Sequence, residues 1–461
     1  MMFRRVAIIG GGAAGATLMS ELLERRSPHP LHVDWYTGGG TPGRGIAYGT
    51  ASPRHLLNVR AASMGMFAGK PRGFLEYAQG NDPATGGADF LPRSHYGDYL
   101  ESEIQRSLRQ AAALGHDVRI VPMVVDALIP EKDGVSIVYG DEQARADVAV
   151  LAVGSLPPRP LGGVAGEAIV SEQYVVDPWP FLAAAKDDPR PLRVVIIGLG
   201  LTAVDVVLQL SERWPNAHFS AISRHGLLPE AHKVVASAPA DDGAELVEAM
   251  RDDPSAHAWM KHLREAIGQG SDWRSVIDGL RPHTPSLWQQ LPQDERARFL
   301  RHARWAWERA RHRMPPQVAE SIAGLETAGR LHRYRGRMRE VRRNADGSLE
   351  VSIAKRDGRV LSVSADVVIQ TVGLNTDAQR TAHPLIQQLV TNGHVTPDPL
   401  GMGLLAQANG QLLDRNGQPW PSLYAIGTLL RSSLWESTAM PEIRAQARNL
   451  ADVFVDEVKR S

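Results

Sequence analysis

The chain has no cysteine. That absence excludes disulfide scaffolding, thiolate metal ligation, cysteine-held iron–sulfur clusters and any thiol nucleophile, and with them the dithiol relay of the disulfide reductases. An excess of either charge is also missing: 51 Lys and Arg balance 51 Asp and Glu. A nucleic acid or an anionic membrane is therefore not expected as the main partner. Long apolar runs are absent too, since no stretch approaches the roughly 20 residues that cross a bilayer. The apolar run after Arg4 and Arg5 breaks at Gly10-Gly11-Gly12, too early for a signal-peptide core. A cytoplasmic location is the default expectation. The 16 histidines show no metal-binding spacing such as H-x-x-x-H, so no metal site is expected.

What is present reads as an α/β protein built twice over. A chain of 461 residues exceeds the size of one hydrophobic core, so two or more domains are expected. Residues 6–9 form a short apolar run that ends in glycines, and 13–26 has helical periodicity with Ala14, Leu18 and Leu22 on one face. A strand at 32–36 and a glycine-rich loop at 38–49, with Pro42, Gly43, Arg44 and Gly45, follow. A helix is predicted at 94–114, then strands at 118–125, 135–139 and 148–153. A proline-rich exit at 156–160 and a polar stretch at 186–191 read as a boundary and linker. The pattern then restarts with a strand at 194–197, the turn Gly198-Leu199-Gly200 and a helix at 202–213. Residues 227–330 are helical and polar and carry Trp259, Trp273, Trp288, Trp305 and Trp307, either as core or as a cap over a site. Strand signals return at 349–353, 367–371 and 423–426, and a helix at 442–458 closes the chain. The expected division is a discontinuous first domain of 1–160 and 331–461, a second of 161–226, and a helical insertion of 227–330, both domains Rossmann-like.

Gly10, Gly12 and Gly15 have G-x-G-x-x-G spacing between a strand and a helix. The first allows the tight turn, the second lets backbone approach a pyrophosphate, and the third lets helix and strand pack closely. The helix N-terminus then offers unpaired N–H groups to the phosphates. For the ribose contact, Asp34 inside the strand and Thr37 at its end are equal alternatives. The second turn has Gly198, Gly200 and Ala203, with Thr202 opening its helix. Ser223 and Arg224 follow the next strand, where an NAD site would place a carboxylate; a hydroxyl and a guanidinium suit the 2′-phosphate of NADPH. The arginine-rich segment 296–313 is either a nucleic-acid patch or, preferably, a solvated amphipathic helix that buries Phe299, Ala303, Ala306 and Ala310.

At these residues the chain resembles the two-dinucleotide flavoproteins, FAD/NAD(P)-binding proteins related to flavin-containing monooxygenases. The segments that carry the resemblance are GGGAAGA from Gly10, PGRGIAYG from Pro42, HLLNVRA from His55, SHYGDYL from Ser94, GLGLTAVD from Gly198, SRHGLLPE from Ser223 and LYAIGTLLRSSLWESTAMPEIR from Leu423. The resemblance implies FAD in the first domain and NAD(P)H as co-substrate in the second. It implies that Gly43, Arg44 and Gly45 lie along FAD, that 55–64 pass the isoalloxazine, and that Gly427 and the helix after Pro441 approach the flavin. Thr428 stands where an aspartate often follows that glycine.

The reaction it implies is hydroxylation of a small molecule by molecular oxygen through a flavin hydroperoxide. Within that family the activity expected is conversion of urate to 5-hydroxyisourate, with Asn58 and Arg60 as donors to the purine. Glu436 is either an acid/base residue or a partner for backbone. The alternatives are an N-hydroxylating or Baeyer–Villiger monooxygenase, an NAD(P)H reductase or dehydrogenase with a diffusible acceptor, and a cofactor-binding scaffold without turnover. Nothing in the sequence sets an oligomeric state.

Overall fold

The computed structural model describes residues 5–27, 29–234 and 243–456. Its first sheet has six strands. In spatial order they are Gln411–Leu413, Pro419–Ala425, Val148–Leu151, Arg5–Ile9, His32–Tyr36 and Asp117–Val121. All neighbours are parallel except the Gln411–Leu413 and Pro419–Ala425 pair. Val6 to Ile9 and Val148 to Leu151 are buried throughout, as parallel strands covered on both faces must be. The helices Ala13–Leu23, Arg93–Leu114 and Met440–Asp456 supply part of that cover, with Leu18, Leu22, Tyr96, Leu100, Ala447 and Phe454 in one core. Residues 457 and 458, which end the expected closing helix, lie outside the described residues.

The second sheet repeats this order with Leu331–Arg335, His218–Ser223, Arg193–Ile197, Val367–Gln370 and Tyr174–Val175, all parallel. In each sheet the strand that leads into the glycine turn, Arg5–Ile9 or Arg193–Ile197, therefore has the next strand of the chain on one side and a late-arriving strand on the other. The chain reaches that late strand the same way in both, through a three-stranded antiparallel meander. The first meander comprises Ala127–Glu131, Gly134–Tyr139 and Glu142–Ala146; the second comprises Arg337–Arg343, Leu349–Ala354 and Val360–Ala365.

This corrects the expectation that everything from residue 331 rejoins the first sheet. Leu331–Arg335 and Val367–Gln370 pair in the second sheet, and only the later strands return to the first. Pairing of this kind is non-local, and hydrophobic periodicity does not report it.

Between His218–Ser223 and Leu331–Arg335 stands the helical insertion. Its last helix, Pro316–Thr327, packs Val318 and Ile322 into the core of the second sheet and so acts as that sheet's crossover. The helices from Gly243–Asp252 to Arg304–Arg311 form a core of their own around Trp259, Leu280, Trp288 and Phe299, joined by Trp435 from the C-terminal part of the chain. Trp259, Trp273, Trp288 and Trp307 thus belong to or pack on this core, while Trp305 is exposed. The segment expected as one amphipathic helix breaks at Ala303 into Gln293–His302 and Arg304–Arg311. A buried ion pair, Arg93 with Asp205 at 2.8 Å, joins the long helix of the first domain to the Leu201–Arg213 helix of the second.

Candidate functional site

Both glycine turns stand where the strand order of their sheet reverses, the place at which open α/β sheets bind ligands. Gly10 has φ +130°, and a Cβ there would sit 2.3 Å from the Ala152 carbonyl oxygen. Gly198 has φ +119°, and its Cβ would sit 2.4 Å from the Thr371 carbonyl oxygen. Conformation and crowding both demand glycine. A Cβ on Gly15 would lie 2.2 Å from the Gly10 carbonyl oxygen, which also accepts the Trp35 indole N–H at 2.9 Å.

The middle glycines differ. Gly12 and Gly200 precede their helices with φ −82° and −81°, values open to any residue. A Cβ on Gly12 would meet only the Gly45 Cα at 3.8 Å, and one on Gly200 nothing within 4 Å. The chain's own packing does not require glycine at either place. A group lying against the backbone at a helix N-terminus would.

Around the first turn, the Gly43 N–H donates to the Gly11 carbonyl at 2.8 Å, which folds the glycine-rich loop over it. Gly427 brings the C-terminal segment to the same helix start, where its Cβ would lie 3.7 Å from the Ala14 Cβ. The Arg44 guanidinium points elsewhere, to Glu101 and Asp98 on the Arg93–Leu114 helix, so only its backbone borders the turn. Asp34 lies mid-strand with its carboxylate held by Arg119 at 2.8 Å. Thr37 stands at the strand end against Gly11, and its hydroxyl is buried with no hydrogen-bond partner.

The second turn opens into a cleft of about 680 Å³. Gly198, Gly200, Thr202, Ser223 and Arg224 line one end, and Trp435, Glu436 and Glu442 line another part of the wall. Arg224, Arg304, Arg309, Arg311, Arg337 and Arg431 line it with only three glutamates, so its lining carries an excess of positive charge although the chain is neutral. Ser223 accepts the Gly226 N–H at 2.9 Å on its hydroxyl and the Gly336 N–H at 3.0 Å on its carbonyl, bringing Arg337 beside Arg224. Trp305 stacks on His225 at 4.1 Å over the same end. Burial, reinforced by the like charge of Arg304, pushes the Arg431 guanidinium down to about 10.

Leu434 to Glu436 make a γ-turn. The Glu436 N–H donates to the Leu434 carbonyl at 2.6 Å, and Trp435 between them has φ 57° and ψ −64°. Trp435 is the only non-glycine with positive φ among the described residues. Such a conformation costs on the order of 1–3 kcal/mol and persists only where its surroundings over-determine it. Here Trp288 stacks on the indole at 4.9 Å and Phe299 meets it edge-on at 5.3 Å. The turn presents the Glu436 carboxylate to Arg311 at 3.0 Å and to the Trp307 indole N–H at 3.0 Å. Arg311 and Glu436 are 9% and 7% exposed, so this is a buried pair. Glu436 thus binds side chains of the cap.

Asn58 and Arg60 are not brought to this cleft. The Asn58 carbonyl accepts the His232 ring at 3.1 Å, and the Arg60 guanidinium donates to the Ala88 and Lys233 carbonyls, each at 2.7 Å. Arg60 therefore clamps two loops. His55, fully buried, bonds Thr50 at 2.7 Å and the Asp205 carbonyl at 3.2 Å across the domain joint.

The residues that sequence reasoning missed are Arg304, Arg309, Arg311, Arg337 and Arg431. Arg304, Glu308 and Arg311 recur at helical spacing on one face. That signal was legible, but it reads equally as a solvated stripe until the Glu436 turn is seen opposite it.

Fold and turns together define a protein with two Rossmann-type dinucleotide-binding domains. Residues 7–156, essentially the first unit up to its late strand, match the family model described as FAD-NAD(P)-binding. No curated protein matches the chain in sequence. Among solved structures it is similar to ornithine N-hydroxylase from Kutzneria sp. 744, with 16% identity over 100% of both chains and a TM-score of 0.67. It is similar to L-lysine 6-monooxygenase from Pseudomonas syringae, with 16% identity, 99% of each chain and a TM-score of 0.65. Thioredoxin reductase from Lactococcus lactis shares the architecture at 12% identity, with 99% of this chain and 100% of that one covered and a TM-score of 0.51. The expected urate substrate finds no support in these comparisons.

Proposed function

We propose that the chain is an FAD-dependent, NADPH-using monooxygenase that N-hydroxylates an amine. The observation that carries this is the pair of switch-point turns whose middle glycines, Gly12 and Gly200, are left open by the fold. The amine reading replaces urate and follows the similar structures named as ornithine N-hydroxylase and lysine 6-monooxygenase. The disulfide-reductase branch of the same architecture needs cysteines, and this chain has none.

The residues at the first turn fit FAD. Gly12 and the N-terminus of the Ala13–Leu23 helix would take its pyrophosphate, Thr37 a ribose hydroxyl, and the backbone of Gly43 to Gly45 and of Gly427 its flanks. When bound, FAD supplies the two-electron carrier and the chemistry that activates oxygen. Gly200 and Thr202 would take the nicotinamide coenzyme, while Arg224 and Arg337 hold its 2′-phosphate. Arg311 and Trp307 hold Glu436 as a positioning residue that pins the cap to the C-terminal turn. Trp305 and Trp435 give the cleft wall apolar ring surface. In the overall balance, one oxygen atom enters an amine N–H bond and the other leaves as water. NADPH and a proton provide the reducing equivalents.

Anaerobic titration of the FAD-loaded protein with NADPH tests the first half, and the expected result is complete flavin reduction. Oxygen uptake with ornithine, lysine, cadaverine and benzylamine tests the second. Hydroxylamine product in proportion to NADPH consumed supports the proposal; hydrogen peroxide as the sole product with every amine refutes it.

A further inference from the structure

The helical cap encloses a second cavity, of about 220 Å³. Trp435 lines both this cavity and the cleft, and so forms the partition between them. The other aromatic walls are Trp259, Trp273, Trp288, Trp307 and Phe299. Most of their polar atoms are satisfied by protein. The Trp259 indole donates to the Met250 carbonyl at 2.7 Å, Trp288 to the Ser432 carbonyl at 2.9 Å, and Trp307 to Glu436 at 3.0 Å. The Thr284 hydroxyl is likewise bonded to the Leu280 carbonyl at 3.0 Å. What these residues offer a ligand is hydrocarbon and aromatic face. A polar group entering would lose its water without return, whereas an apolar group would gain. Arg264 and Ile267 are exposed at the edge of the lining and mark the side that meets solvent.

We propose that this cavity binds a small aromatic or branched-alkyl group. An apolar cavity of about 150 Å³ stays dry and admits benzene, so the larger volume here accommodates a substituted ring.

Calorimetric titration of the oxidised protein with toluene, without nicotinamide or amine, tests the site itself. One-to-one binding is expected. Ala306 and Ala310 line the cavity and not the cleft, so Ala306→Leu and Ala310→Leu fill it with little disturbance to the rest. Both variants are expected to weaken toluene binding at least tenfold while keeping the thermal midpoint and the NADPH reduction of flavin. No binding to the parent protein, or equal affinity in the filled variants, overturns the site.

Discussion

The two open glycines permit a test that separates folding from dinucleotide binding. In Gly12→Ala and Gly200→Ala the new methyl group meets no close atom of the protein, and the backbone angles, φ −82° with ψ −174° and φ −81° with ψ −173°, suit alanine. The fold should therefore hold. Restricting the unfolded chain should add about 0.4–1 kcal/mol of stability. The same methyl group projects into the space over the helix N-terminus, where a pyrophosphate would approach backbone N–H groups. Loss of two charge-assisted hydrogen bonds at about 1.5–3 kcal/mol each removes about 3–6 kcal/mol of binding. That is on the order of 10²–10⁴-fold in Kd. FAD affinity, read from flavin fluorescence, should collapse in Gly12→Ala alone, and NADPH affinity in Gly200→Ala alone. Gly15→Ala is the contrasting control, because its methyl group would lie 2.2 Å from the Gly10 carbonyl oxygen and must destabilise the apo protein. Unchanged dinucleotide affinity in Gly12→Ala and Gly200→Ala, with thermal midpoints intact, would refute the assignment of these turns.

Removing the charge of Glu436 leaves Arg311 buried without its closest partner, while glutamine still accepts the Trp307 N–H. Glu436→Gln should cost about 3 kcal/mol in urea denaturation followed by tryptophan fluorescence. A cost under about 1 kcal/mol would remove this pair from the account of how the cap is held. Arg224→Ala and Arg337→Ala should each raise KM for NADPH about 10- to 150-fold and leave NADH unaffected; parallel changes for both coenzymes would show that neither side chain reads the 2′-phosphate. Burial, aided by Arg313, pushes the His232 ring down to about 3, so it is neutral in the folded chain. The unfolded chain protonates it near pH ~6.5. Its contribution to stability is therefore complete above that pH and is lost as pH falls from there towards about 3, at up to about 1.4 kcal/mol per unit. Denaturation at about pH 7 and about pH 5 should show this slope. His232→Gln should flatten it, and an unchanged slope would mean that other groups carry the loss.

The sequence alone determined much of what depends on neighbours along the chain. Both strand, turn and helix units, the spacing of Gly10, Gly12 and Gly15, the Gly198 turn and the exclusion of thiol chemistry were legible, because a turn and its helix are local. The tertiary structure decided what depends on distant partners. It settled which sheet Val367–Gln370 joins, which no periodicity encodes. It also placed the two residues at the end of the second strand: Arg119 holds the Asp34 carboxylate mid-strand, and Thr37 lies against Gly11. The arginines of the cap changed meaning most. Read along the chain they form a solvated stripe, but Arg311 meets Glu436 from 125 residues away. Only folding supplies that partner, and a buried charge takes its role from the partner it finds.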